Sequence, residues 1–479
     1  MIVVQERLPV VHELDPVPDC WDAFLQLRVL GETLFLDSAM THRAFGRYSF
    51  IAADPFETIR MDVEGDEDPH GRDPFAGIEK LLEKYHVPAL PGLPPFQGGI
   101  GGVFGYGLGR FFERLPPARR ASGNIPDLRV AAFDWVLAFD HVEKRAWVIS
   151  QGFPETDEAR RIQRASARLE LVLATLDTPP LQVDRTVLHS AEADFVHAGH
   201  ALDGCPEVAS NFRRDEYLRA VEKAVEYIHA GDVFQVNLSQ QLGCAARITA
   251  LELYSRMRER NPSPFSAWYE PSDENFVIAS ASPERFLRSS PVGEVETRPI
   301  KGTRPRKAHP LEDGYVRELL YESDKDRSEN VMIVDLLRND LSRVCRPGTV
   351  KVSDLYRLES YPTVHHLVSV VEGHLREPLG PVDLLRASFP GGSITGAPKI
   401  RAMEIINELE PDARGAYCGS LGYIAFSGAM DSSILIRTVT ALPGWFQFPV
   451  GGGIVAASSP EKEYQETLDK AQGILRALK

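Results

Sequence analysis

The chain has 479 residues and carries a formal net charge of −15 at pH 7. This length can bury a large core in one oversized domain or in two or three smaller ones, and an acidic chain without a basic, aromatic-rich stretch is a poor surface for nucleic acid. No stretch approaches about 18 consecutive apolar residues, so we predict no membrane span and expect a cytoplasmic protein.

Strand-like runs alternate with loops in the amino-terminal region, residues 1–200. Residues 34–36 and 48–52 predict strands, and the glycine-rich stretch 98–109 predicts a strand with close backbone packing. A helix is predicted over residues 157–176. Surface loops or linkers are predicted for the acidic segment 62–73, the proline-rich segment 88–95 and the polar segment 184–210.

The carboxyl-terminal region, residues 211–479, mixes helices and strands without strict alternation, which favours an α+β fold over a doubly wound sheet. A helix is predicted over 214–229 with Gly231 as its stop, and the last helix has Ser459 as cap and Pro460 at its first position. Residues 311–344 predict one long helix or a broken pair. Strands are predicted within 233–238, 276–303, 420–426 and 434–440.

Cysteine and glycine patterns exclude several cofactor classes. The five cysteines form no CxxC pair, which predicts reduced thiols rather than disulfides or a structural zinc site. Residues 451–456 match G-x-G-x-x-A, but the next helix begins only at Pro460, too late for a nicotinamide cradle. Residues 390–399 lack the spacing of a nucleotide P-loop, yet their backbone N–H groups could hold a carboxylate or phosphate.

Lys301 is placed by the sequence where a strand-like segment ends in a tight turn. Residues 295–300 are short and partly β-branched, and Gly302 permits the chain to bend directly after the lysine. A free lysine has a pKa near 10.4, so a nucleophilic amine needs burial or a neighbouring cation. From this stretch alone, a solvated surface lysine remains the alternative.

Two acidic pairs are candidates for a cation site. Glu463, Glu466 and Lys470 share one face of the final helix, and Asp326 and Glu329 have the same i, i+3 spacing. Carboxylates that converge must be protonated or bridged by a cation, and Mg²⁺ prefers such oxygen ligands. Each pair equally fits a solvated helix face.

Arg437 and the His365–His366 pair are further candidates. Arg437 is flanked by apolar residues in a predicted strand, and a guanidinium there needs an anionic partner such as a substrate carboxylate. The two histidines follow a strand-like run, where an ordinary core or surface imidazole is the alternative to a role in a site.

Six ordered motifs together resemble the chorismate-utilising enzymes, whose members include the large subunits of anthranilate synthase and of aminodeoxychorismate synthase. The resemblance implies an anthranilate-synthase-like α+β fold of two packed antiparallel sheets with helices outside. It further implies that residues 1–200 and 211–479 share one interleaved core. The motifs lie at residues 231–239, 281–285, 298–303, 326–330, 389–399 and 451–470.

Within this family, Lys301 resembles the branch that aminates chorismate at C4 to give 4-amino-4-deoxychorismate, the aminodeoxychorismate synthases. The corresponding motif of anthranilate synthases resembles Pro-Ile-Ala-Gly-Thr, and that branch of the family remains the alternative. Gln235 stands where hydroxylating relatives have a water-activating lysine, so the resemblance argues against hydroxylation. A subunit without catalysis that senses tryptophan is a third reading.

The resemblance also implies roles for individual residues. Lys301 attacks C2 of chorismate, and Glu284 is the general acid for the departing 4-hydroxyl. Glu329 and Glu463 are Mg²⁺ ligands that Glu466 and Asp326 support directly or through water. Substrate-binding roles are implied for Thr303, Tyr417, Arg437, Gly451, Gly453, Lys470, His366 and Ser393.

Two partners follow from the same resemblance. No cysteine stands in a glycine-flanked nucleophile elbow, so a separate glutamine amidotransferase, or glutaminase, subunit is expected to supply ammonia. The amino-terminal region resembles the tryptophan-binding elements of the family, with core packing as the equal alternative. The residues concerned are Ser38, Tyr48, Ser49, Pro264 and Phe265.

Overall fold

A computed structural model describes residues 8–40, 45–62, 69–116, 120, 125–180, 183, 199–361 and 364–479. Within these ranges the chain forms strands and helices of an α+β protein, as predicted. The strands are β1 (Val10–Glu13), β2 (Thr33–Asp37), β3 (Tyr48–Ala53), β4 (Glu57–Met61), β5 (Gly99–Phe104), β6 (Leu128–Phe133), β7 (Trp135–Asp140), β8 (Arg145–Ser150), β9 (His200–Leu202), β10 (Cys205–Ser210), β11 (Gln235–Ala245), β12 (Phe265–Glu270), β13 (Val277–Ser282), β14 (Arg285–Ser289), β15 (Glu294–Thr297), β16 (Ile300–Pro305), β17 (Lys351–Ser360), β18 (Val364–His374), β19 (Gly396–Ala397), β20 (Ser420–Ala425), β21 (Met430–Ile434), β22 (Thr438–Leu442) and β23 (Trp445–Ile454).

The helices are distributed along the whole described chain. They are α1 (Cys20–Leu27), α2 (Ala76–Lys84), α3 (Gly109–Phe112), α4 (Glu158–Leu176), α5 (Arg214–Ala230), α6 (Ala250–Arg260), α7 (Pro310–Tyr321), α8 (Asp324–Ser342), α9 (Pro381–Ser388), α10 (Lys399–Leu409) and α11 (Pro460–Leu478). Within the described ranges, no helix is long and apolar enough to cross a membrane.

Two large sheets organise the molecule. Sheet A has 13 strands in the order β1-β8-β7-β3-β2-β12-β13-β22-β23-β11-β10-β9, with β19 also paired to β11. Sheet B has ten strands in the order β16-β18-β15-β14-β21-β20-β5-β6-β4, with β17 also paired to β18. The pairings are antiparallel. Each sheet therefore joins one block of strands from the first 200 residues to a second block from the rest of the chain.

The sheets pack face to face and carry helices on their outer faces. Phe50 of sheet A meets Tyr423 of sheet B edge to face, with ring centroids 5.6 Å apart, and Phe96 stacks on the same tyrosine at 4.4 Å. Helices α1, α4, α6 and α11 contribute to the core on the outside of sheet A, and α8 and α9 to the core on the outside of sheet B. Helices α5 and α10 form a further cluster with β11 and β23 of sheet A. The order of layers is thus helices, sheet A, sheet B, helices.

Helix boundaries follow the predicted caps closely. Helix α5 ends at Gly231, whose φ of 85° is the left-handed conformation that glycine adopts without strain. Helix α11 begins at Pro460, as predicted, but the Ser459 side chain before it makes no capping hydrogen bond. The segment predicted as one long helix or a pair is a pair, because the Ser323 side chain accepts a hydrogen bond from the Asp326 N–H and starts α8 separately.

Three predicted elements differ from the structure. The linker predicted over residues 184–210 is wrong from residue 200 onward, because β9 and β10 add a hairpin to the edge of sheet A; residues 184–198 lie outside the described ranges. The strand predicted over 233–238 extends to Ala245, since β11 is paired along its length with β23. The strand predicted over 434–440 is interrupted between β21 and β22, because these strands belong to different sheets.

All five cysteines are free thiols, as predicted. Four are buried: Cys20, Cys244, Cys345 and Cys418. Burial raises the pKa of the Cys345 thiol to about 11 and that of the Cys418 thiol to about 12. Such thiols are protonated and unreactive near neutral pH.

Candidate active site

Lys301 lies in a strand and not in a turn, contrary to the sequence-based expectation. It is the second residue of β16, whose pairing with β18 shifts register between Ile300 and Thr303. Such a β-bulge redirects a side chain. Gly302 permits it with φ of 82°, and a Cβ there would lie 2.8 Å from Leu320 Cδ1.

The Lys301 amine is held inside the protein by a carbonyl oxygen. Its Nζ donates to Ser393 O at 3.0 Å, and Asn237 Nδ2 donates to the same oxygen at 2.8 Å. Burial lowers the pKa of Lys301 below its ordinary value, although Glu329 and Glu284 oppose the change. The structure thus supplies the desolvation that a nucleophilic lysine requires.

Glu284 faces the same space as Lys301. Its residue is only 5% exposed, and burial raises the pKa of its carboxyl group, while a hydrogen bond from Ser393 and the charge of Lys301 oppose the rise. A buried carboxylic acid with a raised pKa retains a proton to donate. Lys301 and Glu284 form a pair in which burial favours the neutral form of both partners.

Thr303, His366 and Arg437 form a second group of the predicted residues. Thr303 Oγ1 is hydrogen-bonded to His366 Nδ1 at 2.8 Å, across the pairing of β16 with β18. Burial lowers the pKa of His366 to about 3, helped by the charges of Arg437 and His365. The imidazole is therefore neutral at physiological pH and can orient the threonine hydroxyl.

The sequence predicted that Arg437 lies in an apolar strand, and this prediction is wrong. The residue follows β21 and precedes β22, where the chain passes from sheet B to sheet A, and its φ of 52° is left-handed. Burial alone lowers the pKa of its guanidinium, and no carboxylate in the described ranges pairs with it. A partly buried cation without an anion can bind a carboxylate-bearing ligand.

Tyr417 lies in the loop that packs against this crossover. The next residue, Cys418, donates its backbone N–H to Leu435 O at 2.9 Å, and the Arg414 guanidinium stacks 5.9 Å from the Tyr417 ring. Burial raises the pKa of the Tyr417 hydroxyl well above its ordinary value, so it stays protonated as a hydrogen-bond donor. The hydroxyl is thus suited to an acceptor atom on a ligand.

Glu463, on the first turn of α11, is the most buried of the predicted metal ligands. Its Oε1 accepts from Ser458 Oγ at 2.6 Å and from Lys325 Nζ at 3.2 Å. Its Oε2 is buried and has no hydrogen-bond partner among the described residues. A Cβ on Gly452 would lie 3.6 Å from that Oε2 and 3.3 Å from Glu466 Oε1, so this glycine keeps open the space that both carboxylates face.

Glu329 and Asp326, on α8, have different surroundings. Glu329 Oε1 lies 3.8 Å from Lys325 Nζ, and burial raises the pKa of its carboxyl group. Asp326 is instead paired with Arg304, at 2.8 Å between Oδ2 and Nη2. Through Lys325, the structure brings Glu329 of α8 close to Glu463 of α11.

Lys470 and Glu466 line the same side of the site on α11. Lys470 Nζ lies 2.8 Å from Glu466 Oε1 and donates to Gly451 O at 2.8 Å. The adjacent Gly453 leaves room beside Gln235, because a Cβ there would lie only 2.4 Å from the Gln235 amide nitrogen. Gly452 and Gly453 in β23 therefore let the strand pass close to the side chains of Glu466 and Gln235.

The carboxylates fit a hard divalent cation that is held only in part by protein. Within the described ranges, no three His, Cys, Asp or Glu side chains are grouped closely enough to hold a metal. Mg²⁺ commonly uses one or two carboxylates and completes its octahedron with water and substrate oxygens. The unpartnered Glu463 Oε2 and the open space at Gly452 match that mode.

Four residues of the site were missed by sequence reasoning: Lys325, Ser458, Asn237 and Gly452. Lys325 precedes Glu329 by four positions on one helix, a spacing that signals an ion pair. Asn237 and Gly452 lie inside recognised motifs, but their roles depend on pairing between distant strands. Ser458 gave no signal of its own.

The residues predicted for a tryptophan pocket lie apart from this site. Ser38, Tyr48, Pro264 and Phe265 line a cavity of about 360 Å³ between the two sheets, together with Arg285. Ser49 lies behind the wall, where its Oγ accepts from the Ser38 N–H at 3.0 Å. The structure therefore contains a cavity at this place.

Comparison with known proteins identifies the class. Residues 32–476 match the family described as chorismate binding enzyme, so the chain belongs to the chorismate-binding enzymes, as the motifs indicated. It is 41% identical to aminodeoxychorismate synthase component 1 of Klebsiella aerogenes, over 93% of this chain and 93% of that protein.

Anthranilate synthase is a second activity named among its relatives. The chain is 38% identical to anthranilate synthase component 1 of Thermus thermophilus, over 95% of this chain and 94% of that protein. The crystal structure of anthranilate synthase component I from Streptococcus pneumoniae superposes with a TM-score of 0.75 at 29% identity, covering 91% of this chain and 93% of that one. The predicted two-sheet fold is confirmed.

Proposed function

We propose that the chain is component I of an aminodeoxychorismate synthase, which converts chorismate and ammonia to 4-amino-4-deoxychorismate. The observation that carries the proposal is the partly buried Lys301 amine beside the buried Glu284 carboxyl group, with desolvation disfavouring the charge on both. The 41% identical relative of that name supports the same reaction.

The chemistry divides into two displacements. The neutral Lys301 amine attacks C2 of chorismate, the ring double bonds shift, and the 4-hydroxyl leaves as water with a proton from Glu284. Ammonia then forms a bond to C4, and the electrons return to expel the lysine amine. Two successive displacements bring nitrogen to the carbon that carried oxygen.

Substrate carboxylates have a natural place in this arrangement. Arg437 offers a cation without an anion among the described residues, and the Thr303 and Tyr417 hydroxyls supply neutral hydrogen bonds. Lys470 on α11 adds a second cation, held by Gly451 O and Glu466. We assign substrate-binding roles to these residues and to the backbone at Gly451, Gly453 and Ser393, with His366 orienting Thr303.

Glu463 and Glu329 would hold Mg²⁺ with support from Glu466, whereas the Asp326 carboxylate is already paired with Arg304. Bound there, the ion supplies Lewis-acid chemistry and charge neutralisation to substrate oxygens. Burial and the missing partner of Glu463 Oε2 prepare the carboxylates for such a cation.

Ammonia would come from a separate glutaminase subunit. Glutamine hydrolysis by a cysteine needs a thiolate, and that form is suppressed here because burial raises the pKa of Cys20, Cys205, Cys244, Cys345 and Cys418. The purified chain should accept ammonium salts directly and use glutamine only when the partner is added.

Product identity tests the proposal. The purified chain is incubated with chorismate, Mg²⁺ and ammonium, and the products are separated by liquid chromatography with mass detection. We expect 4-amino-4-deoxychorismate without release of pyruvate. A fluorescent aromatic amine together with pyruvate would instead establish anthranilate synthase, the second candidate, which the 38% identical relative favours.

The covalent step needs its own experiment. Intact-mass analysis of protein quenched during turnover should reveal an adduct on the wild type and on Lys351→Ala, a control at an exposed lysine on β17. Lys301→Ala should show none. Absence of an adduct on every protein would leave Lys301 as a base for ammonia. Unchanged turnover in Glu329→Ala and Glu463→Ala would support a subunit without catalysis.

We also assign the cavity lined by Ser38, Tyr48, Pro264 and Phe265 to tryptophan. Its volume of about 360 Å³ suits an amino acid. Calorimetric titration of dialysed protein with tryptophan, and with phenylalanine as control, tests this assignment. Heat that is equal for both amino acids, or absent, would contradict it.

A further inference from the structure

Lys325 occupies the space between two carboxylates on different helices. Its Nζ lies 3.2 Å from Glu463 Oε1 on α11 and 3.8 Å from Glu329 Oε1 on its own helix, α8. The ammonium therefore spans the gap in which we place the divalent cation. None of the roles assigned above uses this lysine.

A second observation shows that the ammonium does not complete the site. Glu463 Oε2 remains buried without a hydrogen-bond partner among the described residues, although Oε1 has two donors. Leaving one oxygen of a buried carboxylate unsatisfied is costly. The space in front of it is preserved by Gly452, where a side chain would approach the carboxylate.

We propose that Lys325 is an internal competitor of the divalent cation: its ammonium balances Glu329 and Glu463 in the metal-free chain and is displaced when the cation binds. This inference rests on the metal site of the proposed function. Two cations that share one pair of carboxylates repel each other, so binding of the metal near Glu463 Oε2 favours release of the ammonium from Oε1.

The lysine is built for such a displacement. Its side chain is 45% exposed while that of Glu463 is 2% exposed, so the amine can swing into water while the carboxylate stays in place. Exchange of this kind lowers the apparent metal affinity, because each binding event must first break an existing ion pair. It also leaves no bare pair of buried carboxylates in the metal-free protein.

Mn²⁺ binding to the metal-free full chain tests the proposal, with free Mn²⁺ measured by electron paramagnetic resonance. We expect Lys325→Met to bind Mn²⁺ about tenfold more tightly than the wild type. Lys325→Arg keeps a cation and should bind like the wild type. Lys223→Met removes a lysine of 48% exposure that is paired with Glu226, and it controls for the change in net charge.

The outcomes separate this inference from the metal site itself. If Lys325→Met binds Mn²⁺ as the wild type does or more weakly, and Glu463→Ala abolishes binding, Lys325 is not a competitor but the metal site stands. If Glu463→Ala leaves Mn²⁺ binding unchanged, both the metal site and the role of Lys325 as its competitor are refuted. Thermal unfolding of each variant confirms that the comparison is between folded proteins.

A labelling experiment follows the displacement directly. Acetylation of Lys325 by a limiting active ester, quantified by peptide mass spectrometry, should accelerate when the wild type is saturated with Mg²⁺, because the amine is then released. The rate at Lys223 should not change. An unchanged or slower rate at Lys325 would contradict release, and Glu463→Ala should lose the Mg²⁺ effect.

Discussion

Replacement of Arg437 by methionine should increase the stability of the free protein and lower its affinity for substrate. Methionine has a similar length and the same Cβ, so the left-handed backbone at this residue is strained equally in both proteins. Only the charge and its hydrogen bonds are removed. The guanidinium is partly buried, and no carboxylate in the described ranges compensates for its desolvation.

Two magnitudes of opposite sign follow. A charge-assisted hydrogen bond to a carboxylate contributes about 1.5–3 kcal/mol, which corresponds to roughly a 10- to 150-fold rise in the Kd for chorismate. Removing an uncompensated charge should raise the free energy of unfolding by about 1 kcal/mol. Equilibrium unfolding in urea and calorimetric titration with chorismate measure the two quantities on the same preparations.

Arg437→Lys is the matched control. It keeps the charge but loses the planar fork, so its stability should stay near that of the wild type and its affinity should fall between the other two. A methionine variant that is less stable than the wild type would refute the reasoning, because the guanidinium would then have an effective partner in the free protein. Unchanged chorismate affinity would remove Arg437 from the binding site.

Three further changes test the site. The pKa of His366 is lowered to about 3 in the folded protein, so on acidification the unfolded chain binds this proton first. The stabilisation is therefore complete above the unfolded pKa near 6.5 and is lost as the pH falls toward 3. From pH 7 to 5 the free energy of unfolding in urea should fall by about 2 kcal/mol more for the wild type than for His366→Asn, and equal losses would contradict the pKa shift. Glu284→Gln cannot donate a proton and should lower kcat about 10²- to 10⁴-fold with KM little changed, and a loss below tenfold would exclude it as the acid. Gly302→Ala should lower the unfolding temperature and kcat/KM together, because the new Cβ meets Leu320 and Asp326 and φ is 82°; wild-type values for both would show that the bulge tolerates a side chain.

Local chemistry made the ends of the helices predictable. Gly231 and Pro460 act within one turn of the chain, so their effect on a helix end does not depend on distant neighbours. The same holds for the i, i+3 spacing of Glu463 and Glu466, which share one face of α11 wherever that helix is placed. Family motifs then indicated the two-sheet fold.

The features that could not be predicted from the sequence depend on pairing between segments that are distant along the chain. The apolar run around Arg437 indicates burial on both sides, but not that the two sides belong to different sheets. The bulge at Lys301 is defined only by register against β18. Lys325 contacts a carboxylate 138 residues away, and no periodicity within α8 reveals that partner.

The long-range strand pairing also has a consequence for how the protein is made. In sheet A, β2 lies beside β12 and β11 beside β23, so these strands lack one of their two neighbours until much later segments leave the ribosome. Chains of this topology close many large loops and fold slowly, with unpaired edges exposed meanwhile. Recovery of activity after dilution from denaturant should therefore accompany the slowest refolding phase, since β23 and α11, which carry Gly451, Gly453, Glu463 and Lys470, come last in the chain.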